Sequence, residues 1–247
     1  MPFVTTQLYG RLGNQAFQIA ATIALALRNN AQYLIPGGTN GNRDPYYFSH
    51  FPRKTPQQRV LSFYEETGHN YTPIKYSPDM CLNGYWQSHK YWEDYADVIL
   101  PMFRINPVAK PGVVSIHKRL GDYKMYPTKH PVVSDDYMRK AVATFTDKGY
   151  KNFLVFSDDI KDCKAFFSDA NFPGCNFSYS EGKGPIEDLT EMAGCEHQLI
   201  SNSTFSLWAY HFNKNAEKIC VAPSRWFGPD LAHLNTSDIY PKNCIII

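Results

Sequence analysis

The spacing of apolar residues along the chain changes repeatedly between the periods of strands and helices. The β-branched stretch at 3–8 predicts a first strand. At 16–28 the apolar residues Ile19, Ile23 and Leu27 recur every fourth position, which predicts a helix with one apolar face. A strand that leads directly into a helix is the repeating unit of α/β proteins.

The second half of the chain shows this alternation most plainly. Short apolar runs predict strands at 113–117, 153–156, 175–179, 199–200 and 219–221. Helical spacing begins near Ser134, after 157–159, near Ile186 and after 201–205. The first half adds predicted strands at 31–35 and 81–86 and a predicted helix at 88–103. The whole pattern predicts an α/β protein with mostly parallel sheets and helices on both faces.

Prolines and glycines divide this pattern. The segment 106–112 contains two prolines and a glycine, and it interrupts both periods. We therefore predict an N-terminal α/β domain at 1–107 and a C-terminal domain at 108–247. A long irregular excursion is predicted at 36–58, and no element is assigned at 60–79.

Composition narrows the class of protein. The chain has 247 residues, 43% of them hydrophobic, and a formal net charge of +2, which gives no broad attraction to nucleic acid or membrane. Six scattered cysteines without a C-x-x-C pair indicate reduced thiols and neither a zinc site nor a disulfide scaffold. With no secretory signal and no membrane-spanning stretch in the sequence, we expect a soluble cytoplasmic protein.

Three segments follow apolar runs, so each is expected at the carboxyl edge of a sheet, where open α/β sheets bind ligands. The segment 9–15 has two glycines, 117–123 has a His and an Arg, and 201–205 has hydroxyls at a predicted helix start. Backbone amides, hydroxyls and an Arg suit a diphosphate. The candidate residues in these segments are Gly10, Gly13, Asn14, Gln15, His117, Arg119, Asp122, Ser203 and Thr204.

Acidic residues give a second set of candidates. Asp158 and Asp188 could accept hydrogen bonds from a purine or ribose, although Asp158 could equally cap the helix that follows it. Asn14 and Gln15 could likewise cap their own helix. The sequence has no D-x-D metal clamp, so a departing nucleoside diphosphate would be stabilised by cationic groups, with Arg119 the best candidate.

Several motifs now occur in a recognisable order. They are G-R-L-G-N-Q-A-F-Q-I-A at 10–20, G-Y-W-Q-S at 84–88, H-x-R-x-G-D-Y at 117–123, F-S-D-D at 156–159, I-S-N-S-T-F-S at 200–206, and A-P with R-W-F at 222–227. In order and spacing the chain resembles the α-1,2-fucosyltransferases of glycosyltransferase family 11. The resemblance spans residues 10–227.

The resemblance implies a GT-B-like enzyme with two Rossmann-like domains. Such an enzyme transfers L-fucose from GDP-β-L-fucose to the 2-hydroxyl of a galactose-type acceptor in glycan synthesis, with inversion and without a required metal or other cofactor. The domain at 1–107 would form the acceptor side, with the Gly loop 10–15 facing the cleft. The domain at 108–247 would bind the GDP-sugar. The partners implied are GDP-fucose and a galactose-containing glycan.

The resemblance also implies residue roles. Arg119 would bind the diphosphate and balance the charge on departing GDP. His117 and Asp188 would lie near the nucleoside, with Asp188 reading guanine. The phosphates would be surrounded by Ser203, Thr204 and the Gly10–Gly13 loop. The complete donor-binding set is Gly10, Gly13, Asn14, Gln15, His117, Asp122, Asp158, Asp188, Ser203 and Thr204.

The chain departs from the family pattern at one position of the site. Leu120 stands where the family has a second Arg, and Lys118 should face the opposite side of the strand from Arg119. Two alternatives follow: a nucleotide-sugar-binding protein without transferase activity, or a transferase that uses another nucleotide sugar. The short chain, without an animal-type anchor, favours a bacterial or viral type.

Overall fold

A computed structural model describes residues 1–39, 45–55 and 57–247. The chain divides into two compact units. Unit 1 contains Met1–Arg104 and Leu234–Pro241, and unit 2 contains Ile105–His233 and Lys242–Ile247. The predicted excursion at 36–58 lies partly outside the described residues.

Unit 1 is built on a four-stranded sheet. Its strands are β1 (Phe3–Thr6), β2 (Gln32–Tyr33), β3 (Ser62–Glu65) and β4 (Met80–Asn83), in the order β2-β1-β4-β3. Every pairing among these strands is parallel. Its helices are α1 (Leu12–Arg28) and α2 (Ala96–Met102).

Helix α1 begins four residues earlier than the sequence pattern predicts, at Leu12 instead of Ala16. The amide of Gln15 already donates to the carbonyl of Arg11 at 3.1 Å, so Gly13 and Asn14 belong to the first turn and not to a loop. The helix is buried on nearly all sides, and its small alanines allow close packing against the sheet. The apolar period therefore marks only the central part of the helix.

The predicted helix at 88–103 is wrong over its first half. Two 3₁₀ turns, His89–Tyr91 and Glu93–Tyr95, precede the short α2. Trp92 lies between them with a φ of −142°, which breaks the helical path. Strand β3 was not predicted, since its burial alternates only weakly at the edge of the sheet.

Unit 2 is built on a six-stranded sheet. Its strands are β5 (Lys110–His117), β6 (Asn152–Phe156), β7 (Asn176–Tyr179), β8 (Cys195–Leu199), β9 (Cys220–Ala222) and β10 (Cys244–Ile246). The order is β10-β9-β8-β5-β6-β7, and every described pairing is parallel. Its helices are α3 (Asp135–Thr146), α4 (Ile160–Phe166), α5 (Pro185–Gly194) and α6 (Thr204–Phe212).

Strand β5 begins inside the segment that the sequence suggests as a linker. Pro111 and Gly112 belong to this strand, and its register with β8 shifts between Lys110 and Val114. Gly112 has a φ of +74°, a left-handed conformation that suits such an irregularity. The first boundary between the units lies at 104/105, before the two prolines.

The second difference in domain organisation lies near the C-terminus. Residues 234–241 belong to unit 1, whereas the sequence interpretation placed them with the C-terminal domain. The carboxylate of Asp238 accepts a hydrogen bond from the backbone N–H of Tyr71 at 3.1 Å and forms an ion pair with Lys90. These contacts tie the segment to unit 1.

Candidate functional site

The topology of unit 2 creates a crevice between β5 and β8. From β5 the chain continues to β6 and β7 on one side, and then returns to β8 and β9 on the other side. Open α/β sheets bind ligands at such a reversal, outside the carboxyl ends of the strands. His117 ends β5, and Ser201 follows β8 by two residues. The Nδ1 atom of His117 lies 2.8 Å from Oγ of Ser201, so the two strand ends meet at this point.

The imidazole of His117 is buried and neutral. Burial and, to a smaller extent, the charge of Arg119 lower its pKa to about 3, while Asp158 opposes the shift. The ring of Phe205, in the first turn of α6, lies 5.5 Å away between ring centroids. His117 therefore contributes a neutral hydrogen-bonding group to the crevice.

Arg119 is held by two carboxylates. One terminal nitrogen donates to Oδ1 of Asp122 at 2.6 Å, and the other lies 3.0 Å from Oδ2 of Asp158. The ring of Tyr123 lies 5.6 Å from the guanidinium carbon. A guanidinium carries five N–H donors, and these contacts leave donors available for oxyanions. The arrangement fixes the orientation of the Arg119 side chain, whose exposed fraction is 17%.

Asp158 also determines the shape of the turn after β5. Its Oδ1 atom accepts a hydrogen bond from the backbone N–H of Leu120 at 2.9 Å. A Cβ atom at Gly121 would collide with the Asp158 carboxylate, so the close approach requires glycine. The interpretation of Asp158 as the cap of α4 is wrong, because Asp159 occupies the N-cap and accepts from the N–H of Asp162.

Leu120 and Lys118 face away from Arg119. Leu120 is only 5% exposed and belongs to the hydrophobic core of unit 2. The ammonium group of Lys118 lies 2.8 Å from Asp135 and 4.0 Å from the ring centroid of Phe166. The position that carries a second Arg in the family pattern is thus a core position in this chain.

The segment at 201–204 leads into α6 at the same edge of the sheet. Ser203 is the N-cap residue and Thr204 begins the helix, two residues before the predicted start after 205. The hydroxyl of Tyr123 donates to the carbonyl of Asn202 at 2.9 Å, which joins this segment to the turn that holds Arg119. The amide of Asn202 donates to the carbonyls of Pro131 and Trp226. Tyr123 was not among the predicted site residues, although it belongs to the H-x-R-x-G-D-Y motif.

Asp188 lies elsewhere along this edge. It is in the first turn of α5 and accepts a hydrogen bond from Oγ of Ser180 at 2.6 Å. Ser180 follows β7, which is separated from β5 by β6. Burial raises the pKa of the Asp188 carboxyl. The hydrogen-bond partner of Asp188 is therefore a residue at the end of β7 and not one of the residues that hold Arg119.

The four remaining predicted residues lie in unit 1. Gly10 has a φ of +69° and packs against the side chain of Asn14. The buried amide of Gln15 donates to the carbonyls of Gly10 and Pro45, both at 2.8 Å. Both N–H donors of Gln15 are thus used within the unit. The Oδ1 atom of Asn14 accepts from Gln87 at 3.0 Å, and Gly13 is buried in α1.

Among residues 1–39, 45–55 and 57–247, no group of three or more His, Cys, Asp or Glu side chains is arranged to hold a metal ion. Within the same ranges, no helix combines the length and apolar character needed to cross a membrane. All six cysteines are free thiols.

Comparison with a solved structure defines the class of fold. A crystal structure of POFUT1 in complex with GDP aligns with 90% of this chain and 98% of its own chain, with a TM-score of 0.51 and 12% sequence identity. The two parallel α/β units therefore form a GT-B-like fold, as the resemblance implied. The sequence profile of Glycosyl transferase family 11 matches residues 79–247. The chain belongs to this family of glycosyltransferases.

Three glycosyltransferases are similar to the chain in sequence. The O-antigen biosynthesis glycosyltransferase WbnK of Escherichia coli is 32% identical, over 60% of this chain and 55% of its own length. An alpha-1,2-colitosyltransferase of Escherichia coli is 25% identical over 100% of this chain and 99% of its own. Galactoside 2-alpha-L-fucosyltransferase Sec1 of Mus musculus is 25% identical over 83% of this chain and 63% of its own. The chain thus spans little more than half of WbnK and less than two thirds of Sec1.

Proposed function

We propose that the protein transfers L-fucose from GDP-β-L-fucose to the 2-hydroxyl of a galactose-type acceptor, with inversion and without a required metal. The observation that carries this proposal is the fixed position of Arg119 at the crevice between β5 and β8. Asp122 and Asp158 hold the guanidinium beside the strand ends, and the N-terminus of α6 begins at the same edge. An oriented Arg and a helix N-terminus both favour a diphosphate.

The role of Arg119 follows from where negative charge develops during the transfer. When the bond between fucose and the β-phosphate breaks, negative charge accumulates on GDP. Arg119 would bind the diphosphate oxygens and stabilise that charge, which a divalent cation does in other enzymes. Neutral His117 and the hydroxyls of Ser203 and Thr204 would supply hydrogen bonds without adding charge. Asp188 would accept hydrogen bonds from guanine.

The two units would divide the substrates. Unit 2 would bind the donor, because it contains Arg119 and the 201–204 segment. Unit 1 would form the acceptor side, and Gly10 with the first turn of α1 would contribute to phosphate binding. The side-chain amide of Gln15 is less suited to this role, because both of its N–H donors are used by the carbonyls of Gly10 and Pro45.

A second candidate keeps the reaction type and changes the donor. The relative that matches the full length of the chain is named a colitosyltransferase, whereas the relative named a galactoside 2-alpha-L-fucosyltransferase is matched over part of its length. A different nucleotide sugar is therefore the specific alternative. The third candidate function is a nucleotide-sugar-binding protein without turnover, which is suggested by Leu120 in place of a second Arg.

The test is GDP release from purified protein mixed with GDP-fucose and a panel of β-galactosides, with EDTA present. Acceptor-dependent release and an α-linked product are the expected results. GDP-colitose, GDP-mannose and UDP-sugars, supplied separately, test the donor. Faster turnover with one of these sugars would replace fucose in the proposal. Tight GDP binding without turnover on any donor would favour the binding protein.

A further inference from the structure

The carboxyl edge of the sheet in unit 1 contains a carboxylate, Glu66, that has no part in the proposed donor site. Glu66 directly follows β3, and its N–H continues the ladder by donating to the carbonyl of Asn83 at 2.9 Å. Its carboxylate accepts hydrogen bonds from the backbone N–H groups of Tyr85 at 2.6 Å and Trp86 at 2.9 Å. These two residues belong to the G-Y-W-Q-S motif, to which the sequence interpretation gave no chemical role.

The turn after β4 is built to approach this carboxylate. A Cβ atom at position 84 would collide with the side chain of Glu66, so the position requires glycine. Trp86 is buried and has a φ of +55°, a conformation that bulky residues rarely adopt. Strained backbone of this kind is concentrated at functional sites. Here it delivers two amide N–H groups to one half-buried carboxylate.

The surroundings of Glu66 leave it able to take up a proton. Burial raises the pKa of its carboxyl, although the N–H groups of Tyr85 and Trp86 act in the opposite direction. The nearby phenol of Tyr91 has a pKa raised to about 12, mainly by burial, with Glu66 and Tyr64 contributing. Among the residues that the structure describes, Glu66 forms no ion pair. Its basicity is therefore not suppressed by a neighbouring cation.

An aromatic surface adjoins the carboxylate. The side chain of Tyr85 is 41% exposed although it lies in the middle of this turn. Its ring centroid lies 6.2 Å from that of Tyr9, which follows β1. Strands β1 and β4 are neighbours at the point where the order β2-β1-β4-β3 changes direction, the position at which α/β sheets bind ligands. Aromatic rings with a polar tip suit a sugar, which has both apolar C–H faces and hydroxyls.

We propose that this edge of unit 1 is the acceptor subsite, in which the ring of Tyr85 packs against the galactose-type sugar and Glu66 is the general base. The inference rests on the proposed function and names its acceptor site. The acceptor oxygen forms a bond to C1 of fucose, and the bond from C1 to the phosphate oxygen breaks with its electron pair passing to GDP. The proton of the acceptor hydroxyl passes to the Glu66 carboxylate.

The decisive variant is Glu66→Gln, with Glu65→Gln as the matched control. Glu65 is the preceding residue, and its carboxylate contacts the side chain of Asn83 instead of the turn. Loss of a general base should lower kcat for fucosyl transfer by about 100-fold or more. The Kd for GDP, measured by calorimetry, should stay within about 2-fold, because GDP contains no group that Glu66 serves. Glu65→Gln should retain wild-type kcat.

A second readout separates proton transfer from a structural role. An acceptor with fluorine next to the reacting hydroxyl has a more acidic hydroxyl and needs the base less. The defect of Glu66→Gln should therefore be smaller on this acceptor than on the parent galactoside. Equal defects on both acceptors would overturn the base assignment, as would activity of Glu66→Gln within about 3-fold of Glu65→Gln. If Glu66→Gln unfolds, the shorter base in Glu66→Asp permits the same comparison.

Tyr85 tests the binding half of the proposal. Tyr85→Ala should raise KM for the acceptor by roughly 3- to 10-fold, with kcat and GDP affinity changed much less. Tyr85→Phe keeps the ring and should restore most of the acceptor affinity. An unchanged acceptor KM in Tyr85→Ala would contradict the subsite. Absence of transfer by the wild-type protein on every donor and acceptor is a different result, which overturns the proposed function and the subsite with it.

Discussion

The Nδ1 atom of His117 and the Oγ atom of Ser201 lie 2.8 Å apart, and this contact joins the carboxyl ends of β5 and β8. These two strands flank the point at which the sheet of unit 2 reverses its order. The contact therefore lies where a nucleotide is expected to bind. Both side chains are buried, so this junction belongs to the packed interior of unit 2, two residues before Arg119.

The burial of His117 predicts how stability depends on pH. Its pKa is about 3 in the folded protein, below the ordinary value of 6.5 that applies when the chain is unfolded. The unfolded state therefore takes up a proton first, and the free energy of unfolding should fall as the pH decreases from 6.5 towards 3. In His117→Gln this acid-dependent loss should be smaller. Chemical denaturation at several pH values measures it, and the exposed His233→Gln serves as the control.

If the free energy of unfolding depended on pH in the same way in His117→Gln and in the wild type, His117 would not be held neutral by the fold. The comparison with His233→Gln matters because other buried histidines also contribute to the pH dependence of the free energy of unfolding. Burial also lowers the pKa of His197 and of His130. The contribution of His117 is therefore the difference between the acid-dependent losses of stability in His117→Gln and in His233→Gln.

Gly121 should be intolerant of a side chain. In Gly121→Ala the new Cβ would displace the Asp158 carboxylate, which binds both Arg119 and the backbone N–H of Leu120. We expect kcat to fall by about 100-fold, because small displacements of a positioning group have effects of this size. Steady-state kinetics on GDP release measure it. Gly38→Ala is the control, since none of the residues that the structure describes comes within 4 Å of a Cβ at that position, and an equal loss in this control would refute the explanation.

Leu120 should behave as a core residue. Leu120→Ala should reduce the free energy of unfolding by about 2–5 kcal/mol, as for other buried leucines. Leu120→Arg, which restores the residue of the family pattern, should destabilise further because the guanidinium would enter the apolar core. Urea unfolding provides the values. The control Leu61→Ala removes a side chain that is 73% exposed and should change stability by less than about 0.5 kcal/mol.

An increase in GDP affinity in a stably folded Leu120→Arg would contradict this assignment. Such a result would show that the side chain at 120 can turn toward the donor. The backbone hydrogen bond from Leu120 to Asp158 opposes that rotation of the turn.

Much of the fold could be predicted because its signals are local. The start of α3 is marked by Ser134, whose hydroxyl accepts from the N–H of Tyr137 at 3.0 Å. Strand β5 was predicted from Val113 onward because Val113, Val114 and Ile116 form a β-branched run, and the strand lies in the centre of the sheet, where 114–117 are buried. Such features need no knowledge of distant residues.

The remainder depends on contacts between distant parts of the chain. Which of Asp158 and Asp159 caps α4 could not be decided, since both follow β6 and only the approach of Arg119 separates them. Glu66 was missed because its two partners lie about twenty residues away in an irregular turn. The return of 234–241 to unit 1 rests on Asp238, whose partners are distant in sequence.

The central claim is that Arg119 stabilises the departing nucleoside diphosphate, and Arg119→Ala tests it most directly. Acceptor-dependent GDP release should fall by about 10²- to 10³-fold, with weaker binding of GDP and an unchanged far-ultraviolet circular dichroism spectrum. Arg139→Ala removes an Arg of the same unit that contacts Asn171 and should behave as wild type. Activity of Arg119→Ala close to that of Arg139→Ala would contradict the account.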